Sequence, residues 1–236
     1  MVKTVKKSIP LKEMLPLLSA IFEPLSEAQK ALLTRNASIH TYKKNQPIYV
    51  EGNEPTHLMC LVSGKVKILK NGVGGRTQIM RVIKPVEYFG YRAAFANQKY
   101  LTSAAAFEPS LIVKFPISLI EQVLKENAKL GWFFIQHLSV DLGTADERTV
   151  NLTQKHIRGR LAESLLFLKD NYGLEEDGST LSIYLSREDL ANLSNMTTSN
   201  AIRTLSIFAN EKIIAIDGRK IKLIDQSRLE KISTVG

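Results

Sequence analysis

The 236-residue chain has a single cysteine, Cys60. That excludes an intramolecular disulfide and any iron-sulfur cluster held by several cysteines of one chain. Its position within the apolar run Leu58 to Val62 reads as a small buried hydrophobe. Long apolar runs are missing as well. No stretch approaches the roughly 18 apolar residues of a membrane helix. The basic start (Lys3, Lys6, Lys7) leads into Pro10, Lys12, Glu13 and Pro16, where a signal peptide would need its apolar segment. A cytoplasmic protein with no membrane partner is expected. Enzyme signatures are equally scarce. Gly72-Val73-Gly74-Gly75 lacks Gly-x-Gly-x-x-Gly spacing, and Ser63-Gly64-Lys65-Val66 lacks the glycine and hydroxyl of a phosphate loop. No nucleophile elbow, His-Glu-x-x-His or carboxylate pair in a recognisable setting occurs. The expectation is a non-enzyme without catalytic residues or a metal site. Acidic residues are outnumbered, 23 against 32 Lys and Arg, for a formal net charge of +9, which favours polyanionic partners. The excess sits early: residues 1–154 carry 20 basic against 12 acidic side chains, whereas 155–236 carry 12 against 11.

The most informative stretch is LSREDLANLSNMTTSNAIRTLSIF, Leu185 to Phe208. Ser186 is placed to cap a helix, with Asp189 three residues on. Leu190, Ala191 and Leu193 give that helix an apolar side, and small Ala191 admits a close neighbour. Ser194-Asn195-Met196 breaks the pattern. Asparagine tolerates a left-handed backbone, and Thr197 stands where a fresh N-cap belongs. The second helix turns Ala201, Thr204, Leu205 and Phe208 inward at 3.6-residue spacing and leaves Thr198, Ser199, Ile202 and Arg203 on another face near its start. Short hydroxyls and an arginine there suit phosphates and base edges. Leu181–Leu185 predicts a strand before the helix pair, and Ile213–Ile216 and Lys220–Ile224 predict two more around the turn Asp217-Gly218-Arg219. The order strand, helix, turn, helix, hairpin is that of a winged helix with Arg219 and Lys220 at its tip. Taken alone, the helix pair also reads as an ordinary hairpin packed in a core.

Upstream, Leu11 to Arg35 is helical in pattern, with Ser26 and Gln29 spaced as a capping box. From Ile39 to Phe115 short apolar runs alternate with turn residues, the pattern of a barrel or sandwich. Gly72–Gly75 reads as a flap loop between two strands. Ser118-Leu119-Ile120-Glu121 predicts a second capping box, and helix then dominates to about Tyr172, in three pieces with breaks near Asn127 and Thr153. In the middle piece Leu130, Phe134, Leu138, Leu142, Ala145, Thr149 and Leu152 recur at three- and four-residue steps. That stripe is covered either by the barrel or by a twin helix across a two-fold axis.

YVEGNEPTHLMCLVSGKVKIL, Tyr49 to Leu69, resembles the start of the cyclic-nucleotide-binding β-roll, and Phe89-Gly90 resembles the entrance to its phosphate cassette. Roll, long helix and winged helix in this order resemble the CRP/FNR family of bacterial transcription regulators over about residues 20–225. The implied fold is α+β: an N-terminal double-stranded β-helix (jelly-roll) sensing domain over 1–126, a dimerisation helix over 127–153, and a winged helix-turn-helix over 154–236. Dimer contacts are expected from the stripe Phe134, Leu138, Leu142, Ala145, Thr149 and Leu152.

The resemblance also implies an effector pocket at Phe89, Gly90, Tyr91, Arg92, Thr102, Ser103, Ala145 and Asp146. The family's cassette usually continues with glutamate, where this chain has Tyr91, and grips a cyclic phosphate with an arginine where this chain has Thr102. Without that guanidinium a phosphate is left with amides and hydroxyls, and Asp146 would repel it. The implied effector is therefore not cyclic AMP. Arg92 offers a cation from a new position. Haem, which some relatives bind, has His40, His57, His137 and His156 as candidates by residue type only. By register with the family, Thr198, Ser199 and Arg203 take base-contacting positions and Thr197 a phosphate-contacting one, with Ser186 and Arg219 as further DNA candidates. Arginine and glutamate are common in the family where Thr198 and Ser199 stand, so a different half-site is expected. The implied partners are a second copy of the chain, a pseudo-palindromic DNA duplex and RNA polymerase. Two other readings stay open: a ligand- or partner-binding module whose winged helix contacts protein, and an effector-independent regulator whose pocket is filled by its own side chains.

Overall fold

The structure, a computed structural model, describes residues 19–72 and 77–235. The helix expected over Leu11 to Leu18 and the Val73–Gly75 part of the flap loop lie outside these residues. Two four-stranded sheets form the roll. One is ordered β1 (Ser38–Tyr42), β8 (Ser110–Pro116), β3 (His57–Ser63), β6 (Tyr88–Phe89); the other β2 (Pro47–Tyr49), β7 (Ser103–Ala106), β4 (Val66–Asn71), β5 (Thr77–Ile83). The period-two alternation of β3 sorts its side chains between two cores. Leu58 and Cys60 pack with Ile21, Leu33, Phe115 and Ile120, under the helices. Met59 and Leu61 pack with Val66, Ile68, Ile83, Phe89 and Ile112, between the sheets. Burial pushes the Cys60 thiol up to about 12, which leaves it protonated and unreactive. Between β3 and β4 the chain reverses at Gly64, at φ +88°, where a Cβ would meet Ser110 Oγ at 2.4 Å and Pro109 O at 2.5 Å. Only glycine fits that turn.

Short helices α1 (Ser19–Phe22) and α2 (Glu27–Asn36) precede the sheets. The Ser26/Gln29 capping box that opens α2 is present. After α3 (Arg92–Phe95) and the last strand come α4 (Ile117–Glu126), α5 (Ala128–Gln154) and α6 (Ile157–Tyr172). Asn127 accounts for the first break. Its Oδ1 accepts from Lys129 N and Leu130 N, both at 3.1 Å, while its Nδ2 donates to Pro24 O at 2.8 Å. Ser118 does not cap α4. That helix starts directly after Pro116, and its first N–H is held by Thr56, with Ile117 N donating to Thr56 O at 2.9 Å.

Two compact units emerge. The first holds the described residues up to Leu69 together with Arg81–Ser139; the second holds the described residues of 70–80 and those from Val140 to Val235. In the second unit α6 is followed by α7 (Arg187–Leu193), α8 (Thr198–Asn210), the antiparallel pair β9 (Ile214–Asp217) and β10 (Lys220–Leu223), and α9 (Gln226–Val235). Leu161, Leu165, Leu190, Ala201, Leu205, Phe208, Ile214, Ile221 and Leu229 are all buried. The strand expected over Leu181–Leu185 is reduced to two isolated bridges, Thr180 to Lys222 and Leu174 to Leu181. Leu181 N donates to Ile221 O, but Ser182 N turns back to Gly173 O at 3.2 Å, and the ladder ends there. Helix α9 was not anticipated. Its local signal is Asp225, whose Oδ1 accepts from Arg228 N at 2.9 Å, ahead of buried Leu229.

Candidate nucleic-acid interface and effector cavity

Each end of the turn between α7 and α8 is set by a short polar side chain. Asp189 N donates to Ser186 Oγ at 3.0 Å, capping α7, and Asn200 N donates to Thr197 Oγ1 at 3.2 Å, capping α8. Asn195 takes the left-handed conformation at φ +50°, and Met196 N closes the turn on Ala191 O at 3.0 Å. Beneath it, Ser194 Oγ donates to Ser164 Oγ at 2.8 Å, a buried pair that satisfies both hydroxyls. With Ala201, Thr204, Leu205 and Phe208 turned into the core, α8 leaves Thr197, Thr198, Ser199, Ile202, Arg203 and Ser206 exposed along one face. The reach of this face is its decisive property, because a helix can enter a groove only with its contact residues uncovered. Ile202, 47% exposed amid hydroxyls and an arginine, adds an apolar contact. The wing turn is tied to α7, with Arg187 Nη2 donating to Gly218 O at 2.7 Å, and it leaves Arg219 and Lys220 exposed at the tip.

The roll contains a cavity of about 330 Å³ lined by Tyr49, Gly90, Arg92, Ala93, Ala96, Gln98, Tyr100, Leu101 and Thr102. Tyr49 and Tyr100 stack across its wall, centroids 3.8 Å apart and planes within 13°. Tyr100 Oη donates to Gly90 O at 3.1 Å. Burial raises both phenols above their ordinary range, and for Tyr49 the Thr102 hydroxyl and the charges of Arg92 and Arg81 pull the other way. Gly90 sits at φ +82°, a left-handed backbone that strains any L side chain, so the cassette entrance favours glycine. Arg92 is the cation of the lining, with Gln98 and Thr102 as its neutral polar company. None of the four histidines lines it. Among the described residues no group of three or more His, Cys, Asp and Glu is arranged to hold a metal ion. No described helix is long and apolar enough to cross a membrane.

Two family descriptions match in sequence order: "Cyclic nucleotide-binding domain" over residues 39–127 and "Crp-like helix-turn-helix domain" over residues 159–232. In this order the two domains are those of CRP/FNR-type transcription regulators. Among its curated relatives, the "CRP-like cAMP-activated global transcriptional regulator" of Mycobacterium tuberculosis is 22% identical over 90% of this chain and 96% of that one. The "Global nitrogen regulator" of Nostoc is 26% identical over 78% of this chain and 83% of that one. The solved structure of FixK2 from Bradyrhizobium japonicum shares the fold with a TM-score of 0.74 at 23% identity, covering 83% of this chain and 96% of that chain. Family and fold are those of transcription regulators with a helix-turn-helix DNA-binding domain, not of enzymes.

Against this CRP/FNR background the cassette departs in specific ways. Gly90, Arg92 and Thr102 line the cavity, but Phe89, Tyr91 and Ser103 are not part of the lining. Phe89 fills the core between the sheets. Tyr91, where the family's glutamate would stand, is buried with its ring against Phe95 and Phe134, centroids at 5.3 and 5.0 Å. Ser103 Oγ accepts from Glu51 N at 3.0 Å. Ala145 and Asp146 lie exposed on α5, in the second unit. The residues present therefore do not fit a cyclic nucleotide in the family's manner. The stripe expected to pair two copies is also divided. Phe134 is 3% exposed in the roll core and Leu138 packs on the same cluster, whereas Leu142, Ala145 and Thr149 are exposed and Leu152 is half-buried. Trp132 (59%), Ile135 (53%), Val140 (69%), Leu142 (64%) and Val150 (49%) are the exposed large apolar residues of this helix.

Proposed function

We propose that the protein is a homodimeric, sequence-specific DNA-binding regulator, acting in the cytoplasm with RNA polymerase and responding to a small effector other than cyclic AMP. The uncovered face of α8 carries this reading. In it two such faces enter successive major-groove turns about 34 Å apart. Arg203 forks onto a guanine, Thr198 and Ser199 read neighbouring edges, Thr197, Ser186 and the wing's Arg219 meet phosphates, and Ile202 meets a thymine methyl. A cation and three hydroxyls crowded at one helix start suit phosphates and base edges, which favours DNA over a protein surface as the partner. The cavity supports an effector over a pocket filled by its own side chains, since about 330 Å³ stays free beside Arg92. That single guanidinium with Gln98 and Thr102 suits a small anion bearing one acceptor group. The relative named as cAMP-activated and those named as nitrogen regulators are similarly distant, so neither name supplies the effector.

Retardation of DNA fragments selected from a random pool tests the reading. Arg203→Ala is expected to cost about 1 to 3 kcal/mol at the selected site and to relax preference at one base pair, with binding to random DNA kept. Equal loss on both would contradict base reading. An affinity for every fragment that does not respond to salt would contradict duplex binding altogether.

A further inference from the structure

Arg148 lies in the second half of α5, and its guanidinium is spent on main-chain carbonyls. Nη1 donates to Met80 O at 2.6 Å, and Nη2 donates to Ile79 O at 2.5 Å and Leu193 O at 3.1 Å. Among the described residues no carboxylate hydrogen-bonds it. Glu163, whose charge it feels, is engaged by Asn151 Nδ2 and by Lys155 Nζ, the latter at 2.9 Å. Partial burial pulls this guanidinium below its ordinary range, with the charge of Glu163 pulling the other way. Such a group persists where charge-assisted bonds offset its desolvation.

The three carbonyls belong to two segments. Ile79 and Met80 are in β5. Leu193 closes α7, and its carbonyl is one of those a helix C-terminus leaves without an intrahelical donor, where a cation is favoured. The next three residues are the turn that aims α8. Beyond Met80 the same strand continues to Arg81, whose charge reaches the cavity-wall phenol of Tyr49, and to Ile83 in the roll core. We infer that Arg148 is a positioning residue that fastens the turn before α8 to the end of β5, so that the attitude of the recognition helix follows this strand. The inference rests on the reading of α8 as the DNA-contacting helix. A displacement of β5 reaches the turn through one side chain, and the planar fork is what allows adjacent carbonyls to be held together with a third. Lysine cannot span all three with one ammonium.

The test uses the full chain with nitroxides at Met80→Cys and Glu188→Cys, both exposed positions, diluted into unlabelled protein. Buried Cys60 stays unlabelled. With Arg148 intact, electron-electron resonance is expected to give one narrow distance. Arg148→Met is expected to broaden or split it, and Arg148→Lys to fall between. In matched binding assays without labels, preference for the selected palindrome over random DNA should drop roughly 2- to 30-fold in Arg148→Met, with affinity for random DNA kept. A merely structural role would lower the melting temperature and leave the distance distribution of the folded protein narrow. That outcome overturns the inference, and Arg148→Lys supplies the measurement should the methionine variant fail to fold. If the unaltered protein shows no preference among DNA sequences, the recognition reading has failed, and the distances still decide whether Arg148 fastens the turn.

Discussion

Phe208→Ala is expected to lower the melting transition of the second unit by at least about 12 °C while leaving that of the roll in place. Phe208 is fully buried on the inward face of α8. Removing a ring from such a site costs about 3 to 5 kcal/mol through lost transfer energy and the cavity left behind. That is a large part of the 5 to 15 kcal/mol that holds an ordinary domain together, and each kcal/mol is worth roughly 4 to 8 °C for a domain of this size. The ring is also a platform. The Arg158 guanidinium lies 5.0 Å from its centroid and forks onto Glu211, just past the end of α8, with Nη1 at 2.8 Å and Nη2 at 2.5 Å, while Arg228 of α9 reaches the same carboxylate at 2.9 Å. These ions are partly exposed, so the pair by itself contributes little. The Arg158 hydrogen bonds hold the Glu211 carboxyl below its usual range, so whatever the pair adds is present above that range and fades as pH falls through it. The ring remains the dominant quantity. Calorimetry that resolves two transitions is the measurement. A shift under about 4 °C in the second would show that the core beneath α8 does not depend on Phe208.

Features set by neighbouring residues were legible in the sequence, and features set by distant pairing were not. Ser186, Asn195 and Thr197 announce the helix-turn-helix because capping and left-handed backbone are local chemistry. Asn127 announces a break for the same reason. Tyr49 and Tyr100 are far apart in the chain and meet only because β2 pairs with β7, with Gly52 N and Tyr100 N closing on Tyr100 O and Asn53 O. No spacing rule predicts that stack. The reading of Tyr91 as a cassette residue placed it beside Gly90 correctly in sequence, but large aromatic neighbours in Phe95 and Phe134 give its ring a better place in the core. The long helix shows the limit of periodicity most plainly. Apolar residues at three- and four-residue steps establish that α5 has an apolar side, yet they do not say which surface covers each turn. Leu130 and Phe134 are taken by the roll, and the face left open is rotated from theirs, marked by Trp132 and Ile135, which the stripe had passed over.

That rotation selects the substitution with the largest effect on assembly. Leu142→Asp is expected to weaken self-association by more than about a thousandfold, giving monomers by sedimentation velocity at concentrations where the parent chain is dimeric. In a two-fold helix pair each change occurs twice, so two carboxylates would be buried at the seam. The effective penalty for burying an unpaired ion is several kcal/mol, and about 4 kcal/mol already equals a thousandfold in affinity. Because Leu142 is 64% exposed in the single chain, the monomer itself should keep its fold and melting temperature. Leu138→Asp provides the contrast. Leu138 packs on the roll core, so the same charge there should destabilise the roll rather than merely separate two folded chains. The two variants together distinguish an interface from a core, and monomeric Leu142→Asp should bind one half-site weakly and lose its advantage on a palindrome. Unchanged dimers in Leu142→Asp would remove this line of residues from the interface and leave Trp132, Ile135 and Val150 exposed for some other reason.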